Sequence, residues 1–368
     1  FHSTHSLALT AVAARVRTAQ HAMRDCRARC AELGLERAPV LMQLYDSLVE
    51  SKMSYGAAVW APHLAALTAG RPLGRGKPSA AERLQATWIR LLLGVRRSTP
   101  SATVLAEAGA VPLYVRWLLR AARLWNCCLA APEGSILRLA FTAGARLAAG
   151  QPAGTQLFRR PWAGQLQQAL AAVGVEVSLE APTQIHIRGL RRAGLEHFTG
   201  QILEAAELRQ GGGRFGHYVT HVWGGERPEV YSRAAYLDEV RRLPQRQALA
   251  QLRLRAHWGA EETMLLEGVR ERHLRVCPHC EGVVETADHM ALRCPRYDAL
   301  RAQWADLFGE PHSLHSFLQQ PAERLAGVGT KPGGNVLPYC RNSPNLLGQQ
   351  PRSRNSRCSR TFYRRNRL

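Results

Sequence analysis

Residues 277 to 294 read CPHCEGVVETADHMALRC, which sets out Cys277-x2-Cys280-x8-His289-x4-Cys294. Three thiols and one imidazole in so short a span form the ligand set of a tetrahedral metal site. Zinc takes four such ligands, and a shell closed by protein atoms marks a structural ion rather than a catalytic one. The x2 spacing lets two sulfurs of one tight turn reach the same ion. The eight-residue excursion closes a loop and brings in the second pair. Cys294 precedes Pro295, the favoured first residue of a helix. The fourth ligand therefore falls at a helix N-terminus, where the macrodipole supports a thiolate. The next helix carries Tyr297, Leu300, Trp304, Leu307 and Phe308 on one face, which can cover the metal loop. A segment this small does not hold itself by burial alone. His279, inside the CPHC turn, is an awkward competing ligand. Chance core thiols and a redox pair at Cys277 and Cys280 are the other readings. The second lacks the strand–helix context such a pair needs.

The rest of the chain is strongly basic. Its 368 residues carry 49 Lys+Arg against 28 Asp+Glu, a formal charge of +21, almost all of the excess being Arg. Such a field favours polyanions, nucleic acid before an anionic membrane surface. A composition bias that inflates Arg, Ala and Gly is the bland reading of the same numbers. Apolar residues make up 46% of the chain, enough for a core over most of its length. No apolar run reaches the roughly 18 residues of a membrane span, and the N-terminus has no secretory leader. Nine Cys at irregular spacing then read as reduced thiols of an intracellular protein, nuclear or cytoplasmic. The first residue is Phe, so the chain reads as an internal fragment of something longer.

Helical periodicity dominates the first 145 residues. Val12, Val16, Ala19, Met23, Cys26, Cys30 and Leu33 step by four and three along one face, and Gly34 stands where a C-terminal cap belongs. A second helical stretch opens at Pro39 and closes before Pro62. After a basic Gly/Pro loop, Ser79 and Glu82 fit a capping box, leading a helix with Leu84, Trp88, Leu91, Leu92 and Val95 on its apolar side. A short helix starts at Thr99–Pro100 and ends near Gly109. Another begins after Pro112, burying Leu113, Trp117, Ala121, Leu124 and Cys128. On its other side Arg116, Arg120 and Arg123 have no acidic residue between them, which suits a phosphate-facing ridge or a solvated face.

Residues 146–244 form a linker and a poorly defined middle region. They offer a short helix after Pro161, a strand at Gln184–Ile187, and a GGGRFG break at 211–216 without the Gly-Lys-Ser/Thr ending of a phosphate loop. Residues 245–326 hold the zinc module with flanking helices, beginning with a helix over 245–258. From Gly327 the tail has eight Arg, one Lys and no Asp or Glu. It reads as a disordered basic tail over 327–368, frame-shifted or unspliced, with a functional basic arm as the alternative. The expected fold is mainly α: a helical domain over 1–145, the middle region, the zinc-binding module and the tail.

Four stretches in order resemble the region behind the polymerase palm in reverse transcriptases of non-LTR (LINE-like) retrotransposons. LMQLYDSLVESKMSYGAAVWAP resembles the family's LY…L…YG…W segment. RLQATWIRLLLGVRRSTPSATVLAEAGAVPLYVRWLL resembles its LLG…TP…E.G..PL pattern. LAQLRLRAHW resembles its L.LR.G stretch, and CPHCEGVVETADHMALRCPRYDALR its CCHC signature. The resemblance covers roughly residues 10 to 320 and is thin between 150 and 240. It implies that residues 1–130 correspond to the thumb and the helices just after it, and that the CCHC segment is a nucleic-acid-binding zinc region. The family's palm uses carboxylates that hold two metal ions, one pair in a Phe/Tyr-x-Asp-Asp turn. No Asp-Asp pair occurs here, nor a nuclease constellation, so no catalytic residue carries over. The expectation is a binding fragment, not an enzyme on its own, completed by an upstream or separate palm. A stand-alone zinc-dependent RNA-binding protein and a non-functional degenerate copy are the alternatives.

A thumb touches backbone rather than bases, so it needs Arg on helix faces. The residues expected to contact RNA, an RNA–DNA hybrid or DNA are Arg83, Arg90, Arg96, Arg97, Arg116, Arg120 and Arg123, with Arg275, Arg293 and Arg296 around the zinc loop. Arg272, His273 and Arg301 add to the basic character there.

Overall fold

A computed structural model describes residues 4–75, 77–152, 154–208, 213–309 and 313–327. The chain is mainly helical, and among these residues no strand forms. The one β-type pairing among them is an antiparallel bridge between Val276 and Val284. No described helix is long and apolar enough to cross a membrane. The expected tail beyond Gly327 lies outside the described residues, as do positions 211 and 212 of the GGGRFG stretch.

The first helix, Thr4–Glu32, buries Val12, Val16, Ala19, Met23, Cys26 and Cys30, whereas Leu33 lies beyond its end and is 58% exposed. Pro39 sits in the first turn of Ala38–Leu44, which runs on through a π-helical turn, Tyr45–Glu50. The wider turn buries Tyr45, Val49 and Glu50 together. Gly56 takes φ 69 and turns the chain into Ala57–Trp60. Pro62 then opens a helix of its own, Pro62–Ala69, because Pro is favoured at N1 as well as past a helix end.

The capping box at Ser79 and Glu82 forms, and Gly94 at φ 65 ends the helix Ala80–Leu93. Ser101–Glu107 and Leu113–Ala130 come next, as expected. Leu113–Ala130 is the central column. Its Trp117 and Trp125 are buried, and their rings meet Trp60 at 5.2 Å and Phe141 at 4.8 Å edge-on. The Trp117 indole N–H donates to Ser54 Oγ at 2.9 Å, and Ser54 donates to Glu50 at 2.7 Å.

The middle region is more ordered than its sequence suggests. It contains Trp162–Ala171 and the long helix Ile187–Glu207, and the helix Ile136–Ala149 runs into it. The strand expected at Gln184–Ile187 does not form. Side chains pin this stretch instead. Asn126 donates to Ile185 O at 2.9 Å and accepts from Ile185 N–H at 2.8 Å, and Trp125 donates to Thr183 O at 3.0 Å. One side-chain amide thus does for Ile185 what a neighbouring strand would do.

A single apolar core extends from Val12 to Ala326. A satellite of Ala248, Met290 and Leu307, flanked by Tyr297, Leu300, Trp304 and Phe308, lies beside the Cys/His loop.

Candidate metal centre

The loop that carries the cysteines is built by local geometry. Cys277 N–H donates to Val283 O at 2.7 Å, and Cys280 N–H donates back to Cys277 O at 3.3 Å. Gly282 at φ 71 makes this tight return, which a residue with a Cβ resists. Past the bridge, the Thr286 hydroxyl accepts from His289 N–H at 3.0 Å. It thereby caps the helical segment that starts at residue 287 and continues as the π-helical turn His289–Arg293. Cys294 N–H bonds His289 O at 2.8 Å and closes the turn. The Arg301 guanidinium holds Cys294 O at 2.5 Å.

These contacts bring the four expected ligands together. One ligand atom from each of Cys277, Cys280, His289 and Cys294 lies within 4.8 Å of all the others, an arrangement that can hold one metal ion. Cys294 Sγ stands 3.8 Å from both Cys277 Sγ and Cys280 Sγ. That is far outside disulfide length. A tetrahedral ion with metal–sulfur bonds of about 2.3 Å has S···S edges of about 3.8 Å. His289 Nε2 is buried with no hydrogen-bond partner, an orphan that an ion would satisfy. Burial lowers the His289 pKa, which favours the neutral, ligating form.

Burial pushes the Cys277 thiol up, while backbone amides of His279 and Cys280 pull it down. Burial also raises Cys294, with the Arg296 amide opposing. Amides aimed at the sulfurs are the support a bound thiolate needs. The support at Cys294 comes from a single 3-10 turn, Pro295–Tyr297, and the expected helix beyond is broken into Asp298–Ala302 and Ala305–Phe308. Trp304, at φ −129, separates the two pieces.

Sequence reading missed the residues that fix this loop to the body. Glu285, 6% exposed, lies 3.8 Å from Cys277 Sγ. It also accepts the backbone N–H of Ala260, the first residue of the helix Ala260–Leu266. Two carboxylates of that helix form a buried ion cluster. Glu261 pairs with Arg255 at 2.9 Å and Arg272 at 2.7 Å. Glu262 pairs with Arg255 at 2.8 Å and Arg214 at 2.5 Å. Arg214 also donates to Ser98 O. Arg255 itself takes φ 50, alone among the described non-glycine residues. No spacing rule points to an arginine at such a left-handed position.

The expected nucleic-acid arginines divide. Arg116 and Arg120 are not an unpaired ridge, since Asp46 and Glu50 from the second helical stretch each meet one of them at 2.8 Å. Arg90 donates to Thr99 O and Ser101 Oγ. Arg96 donates to His257 O at 2.6 Å and lies over the Trp258 ring. Arg275 is buried and donates to Glu261 O at 2.9 Å. These five are committed internally. Arg83, Arg97, Arg123, Arg293 and Arg296 are exposed. Of these, Arg83 bonds Pro78 O, Arg293 pairs with Asp288, and Arg296 contacts the His279 ring. Against known protein families, curated proteins and solved structures the chain gives no match.

Proposed function

We propose that this chain is a nucleic-acid-gripping part of a non-LTR retrotransposon reverse transcriptase, organised at its far end by a structural Zn2+. Cys277, Cys280, His289 and Cys294 hold the ion, which supplies a fixed cross-link and no reaction. The exposed arginines Arg83, Arg97, Arg123, Arg293 and Arg296 meet the phosphate backbone of RNA, an RNA–DNA hybrid or DNA. The observation that carries the reading is the convergence of three sulfurs and an orphaned imidazole nitrogen in an arginine-rich helical chain. It is supported by the ordered set of sequence resemblances.

The test is binding of a template–primer hybrid over a salt series. Affinity should fall linearly on a log–log plot, with a slope of roughly −0.7 to −0.9 for each phosphate neutralised. Absence of binding at low salt would count against the reading. A stand-alone zinc-dependent RNA-binding protein is the second reading, favoured by the lack of an Asp-Asp pair. A Phe/Tyr-x-Asp-Asp palm encoded in frame immediately upstream of Phe1 decides for the first.

A further inference from the structure

The helix Ile187–Glu207 has no acidic residue in its first turn. Arg188, Arg191 and Arg192 stand three and four residues apart there, so they share one face. The segment Arg227–Tyr231 runs alongside, and an open groove of about 650 Å³ lies between the two. The three helix arginines and Arg227 line it, with Glu196 and Glu229 as the opposing charges. Arg192 pairs with Glu196 at 2.9 Å. Arg188, Arg191 and Arg227 have no carboxylate partner among the described residues. Four guanidinium groups against two carboxylates in one concavity leave a positive field that the groove walls concentrate.

Both walls are fixed on the same core. The Tyr231 hydroxyl donates to Ala110 O at 2.8 Å and Leu105 O at 3.2 Å, and its ring meets Phe198 at 6.1 Å. Ala234 N–H donates to Glu107 O at 3.0 Å. Leu190 is buried on the other side of the helix. The arginines thus project from a rigid frame, which lowers the ordering cost of binding. Val230, 71% exposed on the groove wall, adds apolar surface beside the charges.

We propose that this groove is a second phosphate-binding surface, taking the backbone of a nucleic-acid strand. It rests on the nucleic-acid reading but uses none of the arginines expected from the sequence. Planar guanidinium forks match phosphate oxygens bidentately. An open groove lined by guanidinium groups suits backbone contact, which carries no sequence information.

The test compares the full chain with R188Q/R191Q/R227Q and with R17Q/R24Q/R27Q. The second set removes the same charge from the exposed face of the first helix. Binding of a structured RNA hairpin is measured by fluorescence anisotropy across a salt series, with thermal melts as the folding control. All three proteins should melt alike. The groove variant should bind at least about tenfold more weakly at low salt, with a slope shallower by about two. The control variant should change less. Unchanged affinity and slope in the groove variant, or equal weakening in both variants, overturns the groove while wild-type binding keeps the broader reading. A wild-type chain that binds no RNA removes both. Polyglutamate binding lost in the groove variant, with RNA binding intact, overturns the groove in favour of an acidic protein partner.

Discussion

At Gly282 the Cys277–Cys280 turn depends on a left-handed backbone, φ 71, with open space where a Cβ would point. Gly282→Ala therefore tests backbone strain without a clash. It should cost about 1–2 kcal/mol, read as roughly tenfold weaker zinc binding in a chelator competition. Cys294→Ser should lose the ion altogether, because this sulfur touches both other sulfurs. The clustering of Cys277, Cys280, His289 and Cys294 was legible because it lies in spacing along eighteen residues. The partners of Arg116 and Arg120 were not, because Asp46 and Glu50 are seventy residues away in sequence. His257 adds a pH signature. Burial first, then the charges of Arg255, Arg96 and Arg214, lower its pKa from 6.5 to about 3. His217 moves the same way by burial and by neighbouring His221, Arg255 and His257. Folded pKa values below the unfolded value mean that stability is complete above about pH 6.5 and is lost as pH falls towards 3. The slope is at most about 1.4 kcal/mol per pH unit for each ring. Urea midpoints should fall between pH 7 and 5, and His257→Gln should flatten that limb.

Among the elements, the EAG sequence at the end of Ser101–Glu107 shows why one motif has its form. Glu107 is buried, accepts from Arg253 at 2.5 Å and from the Tyr218 hydroxyl at 2.9 Å. Gly109 takes φ 57, and a Cβ on it would collide with the backbone of Arg233. Glu107→Ala leaves Arg253 without its counter-charge and should cost about 3–5 kcal/mol. Gly109→Ala should cost more than about 1 kcal/mol; both are read from denaturant midpoints. Helices with caps and a buried stripe, such as Ala80–Leu93, could be read directly. Ile136–Ala149 could not, because Ile136, Leu139 and Leu147 are exposed and blur its apolar face. Ile187–Glu207 was hidden by three glycines and by a start, Ile185–Ile187, whose β-branched residues read as a strand. Neither the π-helical turn at Tyr45 nor the break at Trp304 has a sequence signal of its own.

For the molecule as a whole, the ligand loop is joined to the helical body by a short chain of contacts. Cys277 neighbours Glu285, Glu285 accepts from the amide of Ala260, and the carboxylates of the same helix reach Arg255 and Arg214. The helical class and the convergence of the Cys/His group that could hold an ion were readable from periodicity and spacing. This junction was not, because it joins residues from three separate segments. An ion held in the loop would therefore order more than the four residues around it. The most direct check is metal analysis of the purified chain, paired with hydrogen exchange before and after chelation. The account predicts one zinc per chain. It also predicts that chelation removes protection across residues 272–308 while the Leu113–Ala130 column keeps its own. A chain that carries no metal, and whose 272–308 segment exchanges equally slowly with or without chelator, would contradict it.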